Sequence, residues 1–120
     1  ILFYKEWTED AAQWLIDMDA EFMQLLRKLP MNPKAVPPLL EYYESSDAKS
    51  LAAKLSSIKA FETIKAPMKE TGSGWVPDFE SRYFTEDFPF GLRFIVELAK
   101  EYRVETPKID IVYNWGMSKI

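Results

Sequence analysis

Residues 8–30 read TEDAAQWLIDMDAEFMQLLRKLP, and this stretch decides the fold class. Apolar residues stand at Ala11, Leu15, Met18, Phe22, Leu25 and Leu29, in alternating steps of four and three. That spacing places them in one stripe on a helix of 3.6 residues per turn. Trp14 and Leu26 widen the stripe toward what a helix facing a globular core requires. Thr8 is the expected N-cap. Glu9 and Asp10 follow in the first turn, where carboxylates oppose the positive end of the helix dipole. Pro30 ends the element.

The chain continues in the same style. PMNPKAVPP, residues 30–38, holds four prolines and breaks the helix. A short helix is expected from Pro38 through Tyr43. Ser46 or Asp47 is placed to cap the next, whose stripe is Leu51, Leu55, Ile58 and Phe61 and which ends before Pro67. Residues 65–84 carry Pro67, Gly72, Gly74 and Pro77 and show no period. They read as a loop, and one of that length in a compact domain is more often functional than idle. A helix follows from about Phe88 to Tyr102, burying Leu92, Ile95, Val96 and Ala99. The last opens with Thr106 as N-cap and Pro107 at the first helical position, then runs through Ile109, Val112 and Tyr113 toward Gly116. No stretch alternates with period two over six residues. The reading is an all-α domain of about five helices, with residues 1–120 as one unit.

Composition narrows the chemistry. The 120 residues carry a formal charge of −4 and contain neither cysteine nor histidine. Disulfides and zinc–thiolate sites are excluded, and the commonest general base is missing. Acid–base work by this chain falls to Asp, Glu, Lys or Tyr, or borrows a histidine from elsewhere. The acidic balance argues against nucleic acid as a partner. No run of 18 apolar residues predicts a membrane span. The chain opens on ILFY without a methionine, which reads as the middle of something longer.

Several constellations compete for a functional reading. GSGWVP at 72–77 superficially follows a glycine-rich phosphate loop, but that motif needs a strand before it and a helix after it; a plain flexible loop is the simpler reading. Asp17 and Glu21 lie four apart on the first helix, fit for acid–base work or a metal, or simply a solvated face. Asp19 lies toward the edge of the apolar stripe, and a partly buried carboxylate needs a partner. Trp75, Phe79, Tyr83 and Phe84 sit in or beside the long loop, as walls of a pocket, a domain interface, or core. Arg82 and Asp87 stand out most. Their bland reading is a salt bridge with Asp87 capping a helix that starts at Phe88, and Pro89 in its first turn. Gly91, about 1 kcal/mol worse than alanine inside a helix, then suggests close approach by a backbone, a neighbouring helix or a ligand.

RYFTEDFPFGL (82–92), followed by VETPKID (104–110), resembles the C-terminal helical domain of the octopine/nopaline (opine) dehydrogenase family. The matching positions are Arg82, Asp87, Pro89, Phe90, Gly91 and Leu92, then Val104, Thr106, Pro107, Ile109 and Asp110. FYKEWTEDAAQWLIDMDAEF (3–22) resembles the family's Phe-Tyr segment and its helix with an Asp-x-Glu pair, here Asp19 and Glu21. AFETIKAP (60–67) resembles the segment before a variable loop. The resemblance implies an all-α domain like the C-terminal one of 6-phosphogluconate dehydrogenase, cut from a two-domain enzyme. An N-terminal Rossmann domain outside this chain would bind NAD or NADP. The reaction implied is reductive condensation of an amino acid with a 2-oxo acid. The family's proton-relay arginine and aspartate fall on Arg82 and Asp87, and its catalytic histidine would lie upstream of Ile1. Phe90 and Gly91 are expected substrate-binding positions, and Trp75 is added to them from its place in the long loop, which matches no motif of the family. A cytoplasmic location is expected, with a homodimer kept as an option. The competing readings are a non-catalytic helical interaction module and a related two-domain dehydrogenase with another substrate.

Overall fold

The computed structural model describes residues 7–30, 32 and 35–120. The Phe3–Tyr4 segment and Pro33 of the proline-rich breaker lie outside the described residues. The first helix, α1, runs Glu9–Lys28. Thr8 caps it, its hydroxyl accepting the Ala11 N–H at 3.1 Å. The chain turns extended at Leu29, φ −80° and ψ 151°, as the residue before a proline must. Then come α2 (Leu39–Tyr42) and α3 (Ala48–Ser57). Asp47 and Ser50 cap α3 reciprocally: Asp47 Oδ1 accepts the Ser50 N–H at 2.8 Å, and Ser50 Oγ accepts the Asp47 N–H at 3.0 Å. The Ser50 N–H, and after it the Ser50 hydroxyl, hold the Asp47 carboxyl below its ordinary value. The α-helix stops at Ser57, earlier than the apolar stripe suggests, and a 3-10 turn at Lys59–Phe61 carries Phe61.

The stripe predicted on α1 is only one of its apolar faces, and Trp14, expected to widen it, is exposed. Ala12 is fully buried against Ala48, Leu51, Ala52 and Leu55 of α3, with Ile16 beside it. On another side Leu15, Met18 and Phe22 face Leu92, Ile95 and Ile109 across a narrow apolar crevice. α1 is therefore the middle of the domain, with apolar faces turned two ways. Alanines at 12, 48 and 52 let α1 and α3 approach closely, and the fully buried Leu51 and Leu55 fill the seam.

Residues 65–84 are not a featureless loop. They contain an antiparallel hairpin, β1 (Met68–Thr71) and β2 (Gly74–Pro77), in the register Met68 with Pro77 and Thr71 with Gly74. Both strands are short and mostly exposed, so no buried face imposes alternation on their sequence. Gly72 and Ser73 form the two-residue turn, and Gly74 takes φ +130°, open to glycine alone. The Asp78 N–H closes the base on the Pro67 carbonyl at 2.8 Å. Lys69 Nζ pairs with Glu80 at 2.9 Å and Asp78 at 3.6 Å.

A second departure sits at the helix entry. The helical stretch starts at Arg82, not Phe88: α4 is Arg82–Thr85, a π segment covers Asp87–Leu92, and α5 is Arg93–Glu101. Asp87 lies inside this run and makes no side-chain cap. Pro89 is likewise interior. It has no N–H to give the Thr85 carbonyl, and its ring crowds that oxygen. The ladder widens, and the Arg93 N–H reaches the Phe88 carbonyl five residues back. Counting 82–101 as one interrupted helix, the described residues form five helices and a small hairpin, as an all-α reading expects apart from the hairpin.

The last helix, α6, is Pro107–Met117 with proline at its start. Thr106 occupies the N-cap position, but its hydroxyl donates to Asp110 Oδ1 at 3.0 Å and does not cap the backbone. Among the described residues, no helix is long and apolar enough to cross a membrane.

Candidate functional site

The Asp-x-Glu pair of α1 proves architectural. Asp19 Oδ2 accepts the Leu39 N–H at 2.9 Å, at the start of α2. Glu21 accepts the Lys108 and Ile109 N–H groups, both at 2.9 Å, at the start of α6. Each carboxylate sits at the positive end of a helix and satisfies orphan N–H groups there. This supplies the partner Asp19 required, and it replaces the solvated-face reading of Glu21. It also explains why the Thr106 hydroxyl turns to Asp110 and not to the backbone: the groups it would cap are already taken. Asp17 instead accepts from Gln13 Nε2 at 2.9 Å. Among the described residues, no group of three acids is arranged to hold a metal.

Aromatic side chains divide by position. Phe79, Phe84, Phe88 and Trp115 form one cluster. Phe84 and Phe88 stack at 5.4 Å between centroids, and Trp115 meets Phe79 at 5.9 Å and Phe84 at 5.8 Å, edge to face. Phe79 and Phe84 are thus packing residues, not pocket walls. Gly116 completes the cluster: a Cβ there would overlap the Phe88 ring. The close approach expected at Gly91 occurs at Gly116 instead. Gly91 is exposed, and a Cβ on it would meet nothing among the described residues within 4 Å, which gives no support to the neighbouring-helix and backbone readings.

The aromatic cluster seats the Arg82 end of the helix. Arg82 is 85% exposed at its side chain and pairs with Glu86, Nη2 to Oε2 at 3.0 Å. The expected Arg82–Asp87 salt bridge is not formed. The Glu86 hydrogen bond first, then the Glu86 charge, and more weakly the Asp87 charge, raise the Arg82 pKa above its ordinary value. The i, i+4 spacing of Arg82 and Glu86 makes that partner readable in advance, yet the sequence reading passed over it. Pro67, Ser81, Arg82 and Tyr83 line an open cleft. Phe90, 73% exposed, and Gly91 follow Asp87 on the π segment. Trp75 stands on β2 paired with Glu70, 59% exposed, and lines neither that cleft nor the aromatic cluster. Arg82, Asp87, Phe90 and Gly91 thus share one exposed helical segment. Trp75 is on a separate element.

The arrangement offers an exposed guanidinium and an exposed carboxylate on a rigidly seated helix end, able to bind a carboxylate or phosphate bidentately once Glu86 yields. The glycine-rich stretch is not a phosphate-binding loop. GSG is the turn of a hairpin, followed by a strand and not by a helix N-terminus.

Comparison with known proteins agrees over the full length. Residues 1–120 match the family described as NAD/NADP octopine/nopaline dehydrogenase, alpha-helical domain. An opine dehydrogenase of Haliotis discus hannai is 33% identical over 99% of this chain and 32% of its own length. A tauropine dehydrogenase of Arabella iricolor is 30% identical over 96% of this chain and 32% of its own. The chain therefore spans about a third of the length of these relatives. Solved octopine dehydrogenases share the fold. The one with NADH and pyruvate superposes with a TM-score of 0.82 at 25% identity, over 99% of this chain and 30% of that one. The one with NADH and agmatine gives 0.81 at 26%, over 99% and 32%.

Proposed function

This chain belongs to the octopine/nopaline dehydrogenase family as its α-helical domain, and from that membership we propose that it forms one wall of the catalytic cleft of an NAD(P)-dependent opine dehydrogenase. The reaction is condensation of an amino acid's amine with a 2-oxo acid, with loss of water, and reduction of the resulting C=N bond. The cofactor and its hydride come from a Rossmann domain outside this chain, so the present residues have the remaining tasks.

Arg82 binds the carboxylate of the 2-oxo acid, or the histidine that acts as proton donor, and Asp87 supports that pair. A guanidinium suits the first task because its two parallel N–H groups match a carboxylate. An aspartate suits the second because a carboxylate beside an imidazole fixes its tautomer and stabilises its charged form. Phe90 and Gly91, exposed on the same segment, contact substrate, with Gly91 allowing close approach. Trp75 contacts substrate from the hairpin. The single observation that carries this reading is the match over the whole chain, combined with Arg82 and Asp87 both open to solvent on one firmly packed helix end.

The test is turnover by the full-length protein with pyruvate and a panel of amino acids. Arg82→Ala and Asp87→Asn are each expected to lower kcat about 10²–10³-fold, the usual effect of removing one preorganised donor. Thermal stability should hold, because neither side chain is buried. Near-wild-type turnover in both variants removes them from the mechanism. The 120-residue chain alone is expected to be inactive, and NAD(P)H-dependent turnover by it would contradict the division of labour.

A further inference from the structure

A cavity of about 550 Å3 lies where the end of α1 meets the turn between α5 and α6. It shares no lining residue with the Arg82 cleft. Gln24, Arg27, Lys28, Arg103, Val104 and Glu105 surround it. Among the described residues, the side chains of Arg27, Lys28 and Arg103 form no ion pair or hydrogen bond. Lys69, Arg82 and Arg93 have carboxylate partners, whereas Lys54 and Lys100 have none among the described residues, so it is the shared cavity and not the missing partner that sets these three apart. In a chain of formal charge −4, three unpartnered cations converging on one cavity invite an anion.

Arg103 is held in place by its backbone. It sits just after α5 with φ 57°, in the left-handed region. Its N–H bonds the Lys100 carbonyl at 3.2 Å, and the Val104 N–H bonds the Ala99 carbonyl at 2.8 Å. This is the helix-ending motif whose usual occupant is glycine, because a side chain there is strained. Glu44 occupies the equivalent place after α2, so the conformation alone does not single out Arg103. The convergence with Arg27 and Lys28 does. Basic residues near the end of α1 also favour the helix dipole, but the dipole does not bring an arginine from another loop to the same cavity.

We propose that this cavity binds a small multivalent anion, a metabolite bearing phosphate or several carboxylates, at a site separate from the Arg82 cleft. Its volume lies within the range of small-molecule sites. Arg27 and Arg103 supply forked N–H donors, and Lys28 supplies a mobile ammonium. The Glu105 carboxylate on the rim repels anions, so a singly charged one gains little, and the site selects for higher charge.

The full-length protein is titrated calorimetrically with pyrophosphate and with citrate at constant ionic strength, alongside Arg103→Gly and the double variant Arg27→Ala/Lys28→Ala. One saturable equivalent is expected for at least one probe. Tighter pyrophosphate marks a phosphate site, and tighter citrate a carboxylate site. Both variants should weaken that equivalent about tenfold or more. Arg103→Gly should meanwhile raise the melting temperature by relieving the left-handed strain, a pairing that a purely structural arginine would not produce. Absence of saturable binding overturns the site, as does binding of equal stoichiometry and affinity in wild type and both variants.

Discussion

Glu21 accepts the N–H of Ile109 at 2.9 Å, tying the middle of α1 to the first turn of α6 across 88 positions of sequence. The same carboxylate holds the Lys108 N–H. Replacing Glu21 by alanine strands two donors at a partly buried helix start. The expected loss is about 1–3 kcal/mol, read from chemical denaturation with an unchanged denaturant slope. Glu21→Gln should recover part of it, because an amide oxygen still accepts one bond. Equal stability of wild type and Glu21→Ala would show the cap to be dispensable.

Gly116 has room for no side chain beside Phe88. Gly116→Ala is expected to destabilise the domain by about 1–3 kcal/mol, as overpacking of a tight seam does. Combining it with Phe88→Leu should cost less than the sum of the two single changes, since the smaller side chain vacates the contested space. A strictly additive cycle would mean that the ring moves aside freely.

The two apolar faces of α1 should differ in weight. Leu51 is fully buried against the face that carries Ala12. Leu15 lines the partly open crevice on the other side. Leu51→Ala is expected to cost about 2–5 kcal/mol, the range for emptying a closed core site. Leu15→Ala should cost clearly less. Melting curves of both variants suffice, and the reverse order would relocate the centre of the core.

Asp47 gives a pH dependence with a definite sign. Its carboxyl is held below its ordinary value by the Ser50 N–H and hydroxyl. A group depressed by folding contributes stability that is fully present above its unfolded value and is lost as pH falls through the folded one. Below about pH 4, then, wild type should lose stability more steeply than Asp47→Asn. Above pH 5 the difference between them should be flat. Parallel curves across the acid range would remove Asp47 as a contributor.

Much of the fold was legible because helical period and capping residues speak locally. Thr8, Asp47 with Ser50, and Pro107 each mark a helix start within their own turn. What stayed hidden depended on distant partners or on exposure. Nothing near Glu21 announces that it caps a helix 88 positions on. The hairpin escaped because strands exposed on both faces need no alternation. Asp87 was misread as a cap because Pro89 normally marks a first turn, and only the widened ladder shows it lying inside a longer helix. Arg82 stands out through the motif, and its partner Glu86, one helical turn away, is readable from spacing alone.

The π segment works as an index on a shaft. Its surplus residue turns everything upstream, Arg82 included, by roughly 100° about the axis relative to Val96 and Ala99 in the core, one residue's rotation in a helix of 3.6 per turn. The side of the helix from which Arg82 projects therefore depends on how many residues lie between 87 and 92, while Glu86 orients the guanidinium locally. A chain shorter by one residue there could keep the same core, the same caps and the same motif letters, and still point its arginine out of the cleft. Length in this segment sets the direction of its side chains as much as the identity of any residue in it.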